Sequence, residues 1–354
     1  MIFFFTLSLI SFCGTYYVLP HSIRKLRENG YVAKDMYKSS RPEITTNLGI
    51  ILVFTTFITT SLIPVIVRIV SYLDFLAVEV VDLSQTHMAF LLVISIYALY
   101  GLVDDLVDVG RVLKLVLPVT FAFPIISVMT VNEIWLPFYG FTSLKGEFFL
   151  GTNWSDLFRL TVVPLYVMVV SNLINMHSGY NGLQSGLSFI IIVTLCIKSH
   201  LDGILLEILP VAAVVGSLGA FLLFNFYPAK CFEGNIGSLF FGSVIGSIIV
   251  IQKYWWFGFF ILLPHTFNFF LWLYWLFQMY NYPEKHLDSR NRHTKFGSVD
   301  SEGFLKVPSR MTLKWIPSFY FKINERTAVI IMYAITFSFC VLGLLISELY
   351  LNVR

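Results

Sequence analysis

The chain has 354 residues, of which 57% are hydrophobic and only 13% are charged. A soluble protein cannot hide so much apolar surface, because about half of its exterior must face water. This composition, with a mean hydropathy of +0.77, excludes an ordinary soluble enzyme and predicts a membrane protein. The net charge of +3 is too small to indicate binding to nucleic acid.

Apolar runs long enough to cross a ~30 Å hydrocarbon core recur along the whole chain. We predict an all-α polytopic membrane protein with ten transmembrane helices in one domain, residues 1–354. The predicted spans are residues 2–20, 48–70, 86–103, 112–131, 157–176, 186–199, 204–224, 236–252, 257–280 and 327–349. The first span lacks a basic start and a small-residue cleavage site, which favours a helix over a signal peptide.

Lysine and arginine are concentrated in alternate loops between these spans. If both termini face outside, the inner loops hold 18 of the 24 Lys and Arg residues. These inner loops are 21–47, 104–114, 177–185, 225–235 and 281–326. Because positively charged loops remain on the cytoplasmic side, we predict that the N- and C-termini lie outside. Residues 281–326, between helices 9 and 10, are then a small irregular cytoplasmic module.

The inner loops also hold the unusual polar residues, beginning with the acidic run Asp104-Asp105-Leu106-Val107-Asp108. Asp104 and Asp108 are four residues apart and would share one face of a helix. Three carboxylates at one membrane boundary repel each other unless a cation offsets them, and Mg²⁺ binds carboxylate and phosphate oxygens. The run therefore favours a magnesium–diphosphate site, with Lys114 as a phosphate contact. A solvated acidic helix end is the alternative.

Three further inner segments carry polar residues suited to a ligand. Asn172 and Asn175 lie one turn apart at the end of an apolar span, where an amide is unfavourable without a partner. The glycines of the following loop, 177–183, allow close approach of a ligand. The loop 225–237 leads into a helix whose first N–H groups would face an anion. The basic run 34–42 would bind phosphate. Helix caps, ordinary loops and a topology signal are the simpler interpretations.

In this order, the segments resemble the polyprenyl-phosphate N-acetylhexosamine-1-phosphate transferase superfamily, most of all its archaeal and eukaryotic branch, which makes N-acetylglucosaminyl-diphospho-dolichol. The similarity covers roughly residues 20–350, and the ordered set is much more specific than any one string. The matching strings are Asp35-Met36-Tyr37-Lys38-Ser39-Ser40-Arg41, Gly101-Leu102-Val103-Asp104-Asp105 with Lys114, Asn172 through Leu183, Tyr227-Pro228-Ala229-Lys230-Cys231-Phe232-Glu233-Gly234, Pro264-His265-Thr266-Phe267-Asn268-Phe269 and Asn324-Glu325-Arg326.

The resemblance implies transfer of N-acetylglucosamine 1-phosphate from UDP-N-acetylglucosamine to dolichyl or polyprenyl phosphate, with release of UMP. This is the first step of lipid-linked oligosaccharide assembly for protein N-glycosylation. It also implies an active site on the cytoplasmic face and Mg²⁺ as cofactor, with Mn²⁺ as the alternative. The residues implied are Asp104, Asp105 and Lys114 in catalysis; Asn175, Asp105, Asp108 and Asn235 as metal ligands; and Lys38, Arg41, Asn172, Gly179, Asn181, Lys230, His286, Arg290 and Arg292 in substrate binding.

The chain departs from the family pattern at four places. Asn235 stands where the family has an aspartate that binds magnesium, and an uncharged amide oxygen should bind the metal less tightly. Thr45-Thr46 replaces a proline–glutamate pair, and Gln184 replaces a glutamate. Glu284-Lys285-His286 replaces an arginine–histidine–arginine cluster. The consecutive histidines of the muramoyl-pentapeptide branch are missing from the sequence, which argues against a peptidoglycan precursor as substrate.

Two other classes of function remain open at this stage. In a non-catalytic or regulatory homologue, Asn235 would mark lost metal binding, although Asp105 and Asn175 are retained. A transporter would place ionisable groups near mid-membrane. The compact 281–326 loop favours an archaeal cell membrane over the endoplasmic reticulum, and the Phe- and Trp-rich stretch 257–280 is a candidate wall for a lipid groove. The exact sugar, the lipid length and the oligomeric state, a homodimer included, remain open.

Overall fold

The computed structural model describes residues 2–72, 83–107, 109–136, 139–149, 151–282, 284 and 296–346, and it is mostly helical. Its α-helices are α1 (Ile2–Glu28), α2 (Gly49–Ser61), α3 (Ile63–Tyr72), α4 (Gln85–Val107), α5 (Arg111–Val116), α6 (Phe123–Val128), α7 (Trp154–Met176), α8 (Leu183–Leu201), α9 (Val211–Asn225), α10 (Gly234–Ile251), α11 (Trp255–Ile261), α12 (Leu263–Asn281), α13 (Ile316–Tyr320) and α14 (Glu325–Ile346).

Short antiparallel strand pairs connect some of these helices, which the prediction of an all-α protein did not include. They are β1 (Val32–Lys34) with β2 (Glu43–Thr45), β3 (Glu133–Leu136) with β4 (Gly140–Ser143), β5 (Glu147–Phe149) with β6 (Thr152–Asn153), and β7 (Ser298–Val299) with β8 (Leu305–Lys306). Each pair is a two-stranded hairpin and none extends into a larger sheet within the described residues. The helices therefore make the core.

Seven stretches of helix in the described residues are long and apolar enough to cross a membrane, and the bent pair α11–α12 would make an eighth. The prediction of a polytopic membrane protein is confirmed, but ten spans are not. The predicted span 112–131 is divided into α5, a 3₁₀ turn and α6, because Pro118 and Pro124 cannot donate the backbone hydrogen bonds of a continuous helix. The predicted span 204–224 is a 3₁₀ turn followed by the 15 residues of α9.

Helix α10 lies at the centre of the bundle and packs against both α4 and α7. Glycines let these backbones touch directly. A Cβ added to Gly101 of α4 would lie 2.5 Å from the carbonyl oxygen of Asn235, and one on Gly242 would lie 2.5 Å from Cα of Ser171 on α7. Small residues allow this close approach of helices in membrane proteins. The packing brings the C-terminal ends of α4 and α7 to the N-terminal end of α10.

Helices α11 and α12 meet at a bend of 64°, so the predicted span 257–280 is broken rather than continuous. Pro264 lies in the first turn of α12, where a missing N–H is tolerated. The bend leaves an apolar cavity of about 410 Å³ between α7 and the α11–α12 pair. Its walls include Leu173 of α7 and Phe269 of α12.

The described residues 296–325 pack against the β1–β2 hairpin and the loop before α8. Trp315 donates its indole N–H to the Tyr37 hydroxyl at 3.2 Å, and the Tyr37 and Tyr180 rings meet edge to face at 4.7 Å. This aromatic cluster joins the segment before α14 to two loops that carry four of the nine predicted substrate residues, Lys38, Arg41, Gly179 and Asn181. The part of the predicted module 281–326 that precedes residue 296 lies, except for residues 281, 282 and 284, outside the described residues.

Candidate active site

A polar cavity of about 330 Å³ opens where the ends of α4, α7 and α10 meet. Five predicted site residues line it together: Asp105, Asn175, Gly179, Asn181 and Asn235. They come from three separate segments of the chain: the end of α4, residues 172–183 and the start of α10. Hydropathy alone gave no distance between them, and the structure shows that they converge.

Asp105, in the last turn of α4, caps the start of α10. Its two carboxylate oxygens accept the backbone N–H groups of Asn235 at 3.0 Å and Ile236 at 3.1 Å. The first N–H groups of a helix favour an anion, and here the protein supplies that anion itself. The expectation that the start of this helix would face a ligand anion is therefore wrong for these two N–H groups.

Gly234 makes this cap sterically feasible. Its φ of +72° lies in the left-handed region that L side chains rarely adopt. A Cβ at this position would also lie 2.8 Å from a carboxylate oxygen of Asp105. A glycine is required here for both reasons.

Asp104 is buried and makes a different set of contacts from Asp105. One oxygen lies 2.8 Å from Nζ of Lys114 and accepts the N–H of Val109, and the other accepts Nδ2 of Asn235 at 2.8 Å. Lys114, which was predicted to contact phosphate, is therefore held by Asp104. The amide of Asn235 uses its nitrogen for the contact with Asp104, so its oxygen Oδ1 is not part of that contact.

The oxygen donors at the cavity fit a magnesium ion held mainly by substrate. Asp105 contributes a carboxylate, while Asn175 and Asn235 contribute amide oxygens; Ser238 donates its hydroxyl to Oδ1 of Asn175 at 3.2 Å. Mg²⁺ is commonly bound by one or two carboxylates together with phosphate oxygens and water. No group of three or more His, Cys, Asp or Glu side chains forms a metal site among the described residues. Asp108 lies outside them.

Asn181 is held by a charged network beside the cavity. Its Nδ2 donates to Asp35 at 3.0 Å, and its Oδ1 accepts Nζ of Lys38 at 3.2 Å. Lys38 also pairs with Asp35 at 3.1 Å and with Glu325. That Lys38 binds phosphate stays a prediction; in the structure two carboxylates offset its charge, and its side chain does not line the cavity.

Three more predicted substrate residues do not line the cavity. Asn172 donates to the carbonyl of Met168 in its own helix at 2.9 Å, because α7 continues through it. Arg41 and Lys230 are exposed. His286, Arg290 and Arg292 lie outside the described residues, so their predicted roles remain predictions.

Residues not predicted individually complete the lining, among them Lys34, Phe232 and Ser238. The backbone of Phe232 extends the β1–β2 hairpin: its N–H donates to Thr45 at 2.8 Å, and its carbonyl accepts Leu48 at 3.1 Å. Lys34 and Phe232 belong to segments that the sequence had singled out, so their positions could have been proposed. Ser238 carried no such signal, because it lies within an apolar helix.

Glu233, buried next to the cavity, gives a prediction for stability. Burial raises the pKa of its carboxyl to about 7, and the Asn225 amide at 3.2 Å counteracts part of this rise. A carboxyl with a raised folded pKa stabilises the protein below its unfolded pKa and loses that contribution as the pH rises towards 7. Relative to Glu233→Gln, the wild type should therefore lose up to about 3 kcal/mol of stability between pH 4.5 and 7.

Thermal unfolding in detergent across this range measures the effect. Glu28→Gln, at an exposed glutamate paired with Lys25, is the matched control and should follow the wild-type curve. Parallel curves for wild type and Glu233→Gln would show that folding does not raise the pKa of this carboxyl.

Known proteins are similar to this chain in sequence. The model of glycosyl transferase family 4 matches residues 87–253, which include Asp104, Asp105, Lys114, Asn175 and Asn235. A protein of Saccharolobus solfataricus named as a UDP-N-acetylglucosamine–dolichyl-phosphate N-acetylglucosaminephosphotransferase is 29% identical over 96% of this chain and 95% of its own length. One of Sulfolobus acidocaldarius with the same name is 27% identical over 92% of this chain and 91% of its own.

A bacterial relative matches a smaller part of the chain. The protein of Bacillus subtilis named as an undecaprenyl-phosphate N-acetylglucosaminyl 1-phosphate transferase is 31% identical over 44% of this chain and 40% of its own length. The family predicted from the ordered strings is thus confirmed by these matches. The chain matches the glycosyl transferase family 4 model over residues 87–253, which include the helices that build its polar cavity.

Proposed function

We propose that this chain transfers N-acetylglucosamine 1-phosphate from UDP-N-acetylglucosamine to dolichyl or polyprenyl phosphate and releases UMP. This would begin the assembly of lipid-linked oligosaccharide for protein N-glycosylation. The observation that carries the proposal is the convergence of Asp105, Asn175, Asn181 and Asn235 on one polar cavity, close to an apolar cavity between helices. The names of the two archaeal relatives support the same reaction.

The two cavities suit the two substrates. The polar cavity would take the nucleotide sugar, with the Phe232 ring available to stack on a base. The apolar cavity between α7 and α11–α12 would take the isoprenoid chain, and the predicted groove wall 257–280 contributes Phe259 and Phe269 to it. Leu173 in this wall precedes Asn175 in the polar cavity by two residues, about 3 Å along the helix. Residues two apart on a helix face nearly opposite sides, so the lipid phosphate would pass the end of α7 to reach the nucleotide.

In the proposed reaction, an oxygen of the lipid phosphate attacks the β-phosphorus of the nucleotide sugar. A new P–O bond forms, the bond from the β-phosphorus to the bridging oxygen breaks, and UMP leaves with that electron pair. Asp105, Asn175 and Asn235 would hold Mg²⁺, or Mn²⁺ in its place, which would offset the negative charge of the diphosphate. Asp104 and Lys114 form a fixed ion pair that orients the Asn235 amide.

The proposed topology follows from the charge distribution. With the helices Leu117–Val128 and Val211–Asn225 counted as shortened crossings, the chain would have ten spans and both termini outside. The polar cavity would then face the cytoplasm, where nucleotide sugars are found. An archaeal cell membrane is the proposed location, and both near-full-length relatives cited above are archaeal. The oligomeric state, including a homodimer, stays a separate question.

The test is a transfer assay with the purified protein in detergent. Radiolabelled UDP-N-acetylglucosamine and dolichyl phosphate should yield UMP and labelled lipid only when Mg²⁺ or Mn²⁺ is present. Asn175→Ala should abolish this turnover, which excludes a contaminating enzyme. If no UDP-sugar gives turnover with either lipid phosphate, the proposed function is wrong.

A further inference from the structure

The loop between α7 and α8 is held from one side by three side chains of the C-terminal part of the chain. Lys314 donates its ammonium to the Ser178 carbonyl, and Tyr333 of α14 donates its hydroxyl to the Gly182 carbonyl. Between them, Oε1 of Glu325 accepts the backbone N–H of Asn181 at 2.7 Å. Because Ser178, Gly179 and Asn181 line the polar cavity, these contacts set the position of one cavity wall.

Glu325 contacts Asn181 in two ways, directly at the backbone and indirectly through Lys38. Besides the backbone N–H, its second carboxylate oxygen binds Lys38, whose ammonium contacts Oδ1 of Asn181. The N–H of Ala229 donates to the same oxygen at 3.0 Å. Two donors therefore face Oδ1, and the acceptor Asp35 faces Nδ2, so the orientation of the amide is determined by its neighbours.

This orientation has a chemical consequence at the cavity. A primary amide has two N–H groups, and Asp35 takes one from Asn181 at 3.0 Å. The second N–H can be donated to a ligand, whereas both lone pairs of Oδ1 face protein donors. Asn181 therefore presents a fixed donor, which matches a carbonyl oxygen of a pyrimidine base.

The burial of this network argues against packing alone. Glu325 is 3% exposed and Asp35 is 4% exposed. Replacing buried ionic groups by apolar residues of similar size is often neutral or stabilising, so a buried charge network contributes little net stability. Such a network next to a ligand cavity is better explained by the geometry that it imposes on Asn181.

We propose, on the basis of the proposed function, that Glu325 is a positioning residue for the nucleotide. From the first turn of α14, it fixes Asn181 and Lys38, and through Asn181 it sets the affinity for the uridine end of the substrate. The contact reaches across 144 residues of chain and couples the start of the last helix to the cavity wall.

The test compares Glu325→Gln with the wild type by calorimetric titration of UMP into the purified protein in detergent. Loss of one charged hydrogen bond typically corresponds to roughly 10-fold or more in affinity. We expect the Kd for UMP and the KM for the nucleotide sugar to rise about 10-fold, with kcat changed less than about 3-fold. Glu302→Gln, at an exposed glutamate paired with Lys322 in the same segment, is the control and should keep wild-type affinity.

A double-mutant cycle with Asn181→Ala separates positioning from stability. If Glu325 acts through Asn181, the effects of the two substitutions on UMP affinity should be strongly less than additive. Glu325→Asp keeps the charge and should retain affinity better than Glu325→Gln, which provides a folded variant if the glutamine protein is unstable. Wild-type UMP affinity in Glu325→Gln, additive effects in the cycle, or a fall in kcat alone would overturn the inference. If the wild type itself binds no UMP, the proposed function fails first.

Discussion

Asp105→Asn is expected to lower the rate of sugar-phosphate transfer by about 100-fold or more. Asp105 accepts two backbone N–H groups at the start of α10 with its two oxygens and lines the polar cavity. An asparagine offers one acceptor, so its NH₂ group would face one of these N–H groups. The start of α10, which carries Asn235, would then shift, and shifts of about 1 Å in a reacting geometry are enough for losses of this size.

The measurement is the initial rate of UMP release at saturating substrates. Asp156→Asn is the control, because the carboxylate of Asp156 pairs with Arg159 at the end of α7 that lies away from the cavity. It should keep wild-type activity. Thermal unfolding of both variants shows whether they are folded. A rate for folded Asp105→Asn within about 3-fold of the wild type would mean that this carboxylate takes no part.

Asn235→Asp is expected to make the stability of the protein depend on divalent metal. In the wild type, Nδ2 of Asn235 donates to Asp104 at 2.8 Å. The aspartate would put a second carboxylate against Asp104, and Lys114 alone would have to offset both. Like charges at this distance are unfavourable without a cation, so we expect the metal-free variant to lose about 2 kcal/mol.

Added Mg²⁺ should restore the stability of Asn235→Asp and saturate at a lower concentration than in the wild type. Thermal unfolding against Mg²⁺ concentration, starting in EDTA, measures this without any activity assay. Asn235→Ala removes the same hydrogen bond without adding charge, so it should be destabilised and not rescued by Mg²⁺. A stability of Asn235→Asp that does not respond to Mg²⁺ would exclude position 235 as a metal ligand.

Much of the site could be predicted from the sequence because apolar runs define where helices end. Asp105, Asn175 and Asn235 each lie within a few residues of the end of an apolar run, and the ordered strings identified the family. Once the topology placed these ends on one side, a shared site followed. The structure confirms that these three residues line one cavity.

The roles of individual charges could not be predicted in the same way. Asp104 and Asp105 are neighbours, but the rotation of α4 turns one to Lys114 and the other to the start of α10. Lys38 looked free to bind phosphate because its partner Glu325 lies 287 residues later in the chain. Such pairings depend on tertiary packing, which local sequence does not report.

Ten continuous spans are not confirmed, because hydropathy does not register hydrogen bonding. Pro118 and Pro124 lie in an apolar stretch that looks continuous by composition, although neither residue can donate a backbone hydrogen bond. The bend between α11 and α12 was missed for the same reason. The hairpins between residues 133 and 153 were missed because their strands are only two to four residues long.

The direct backbone contacts of α10 also determine which parts of the molecule can move during a turnover. Residues Ile236 to Val250 are all buried, and at Gly101 and Gly242 no side chain separates the backbone of α10 from those of α4 and α7. Helices packed in this way cannot slide without steric overlap. We therefore expect opening of the cavity for nucleotide entry and UMP release to come from the hairpin of residues 32–45 and from residues 296–324, with the helices held in place.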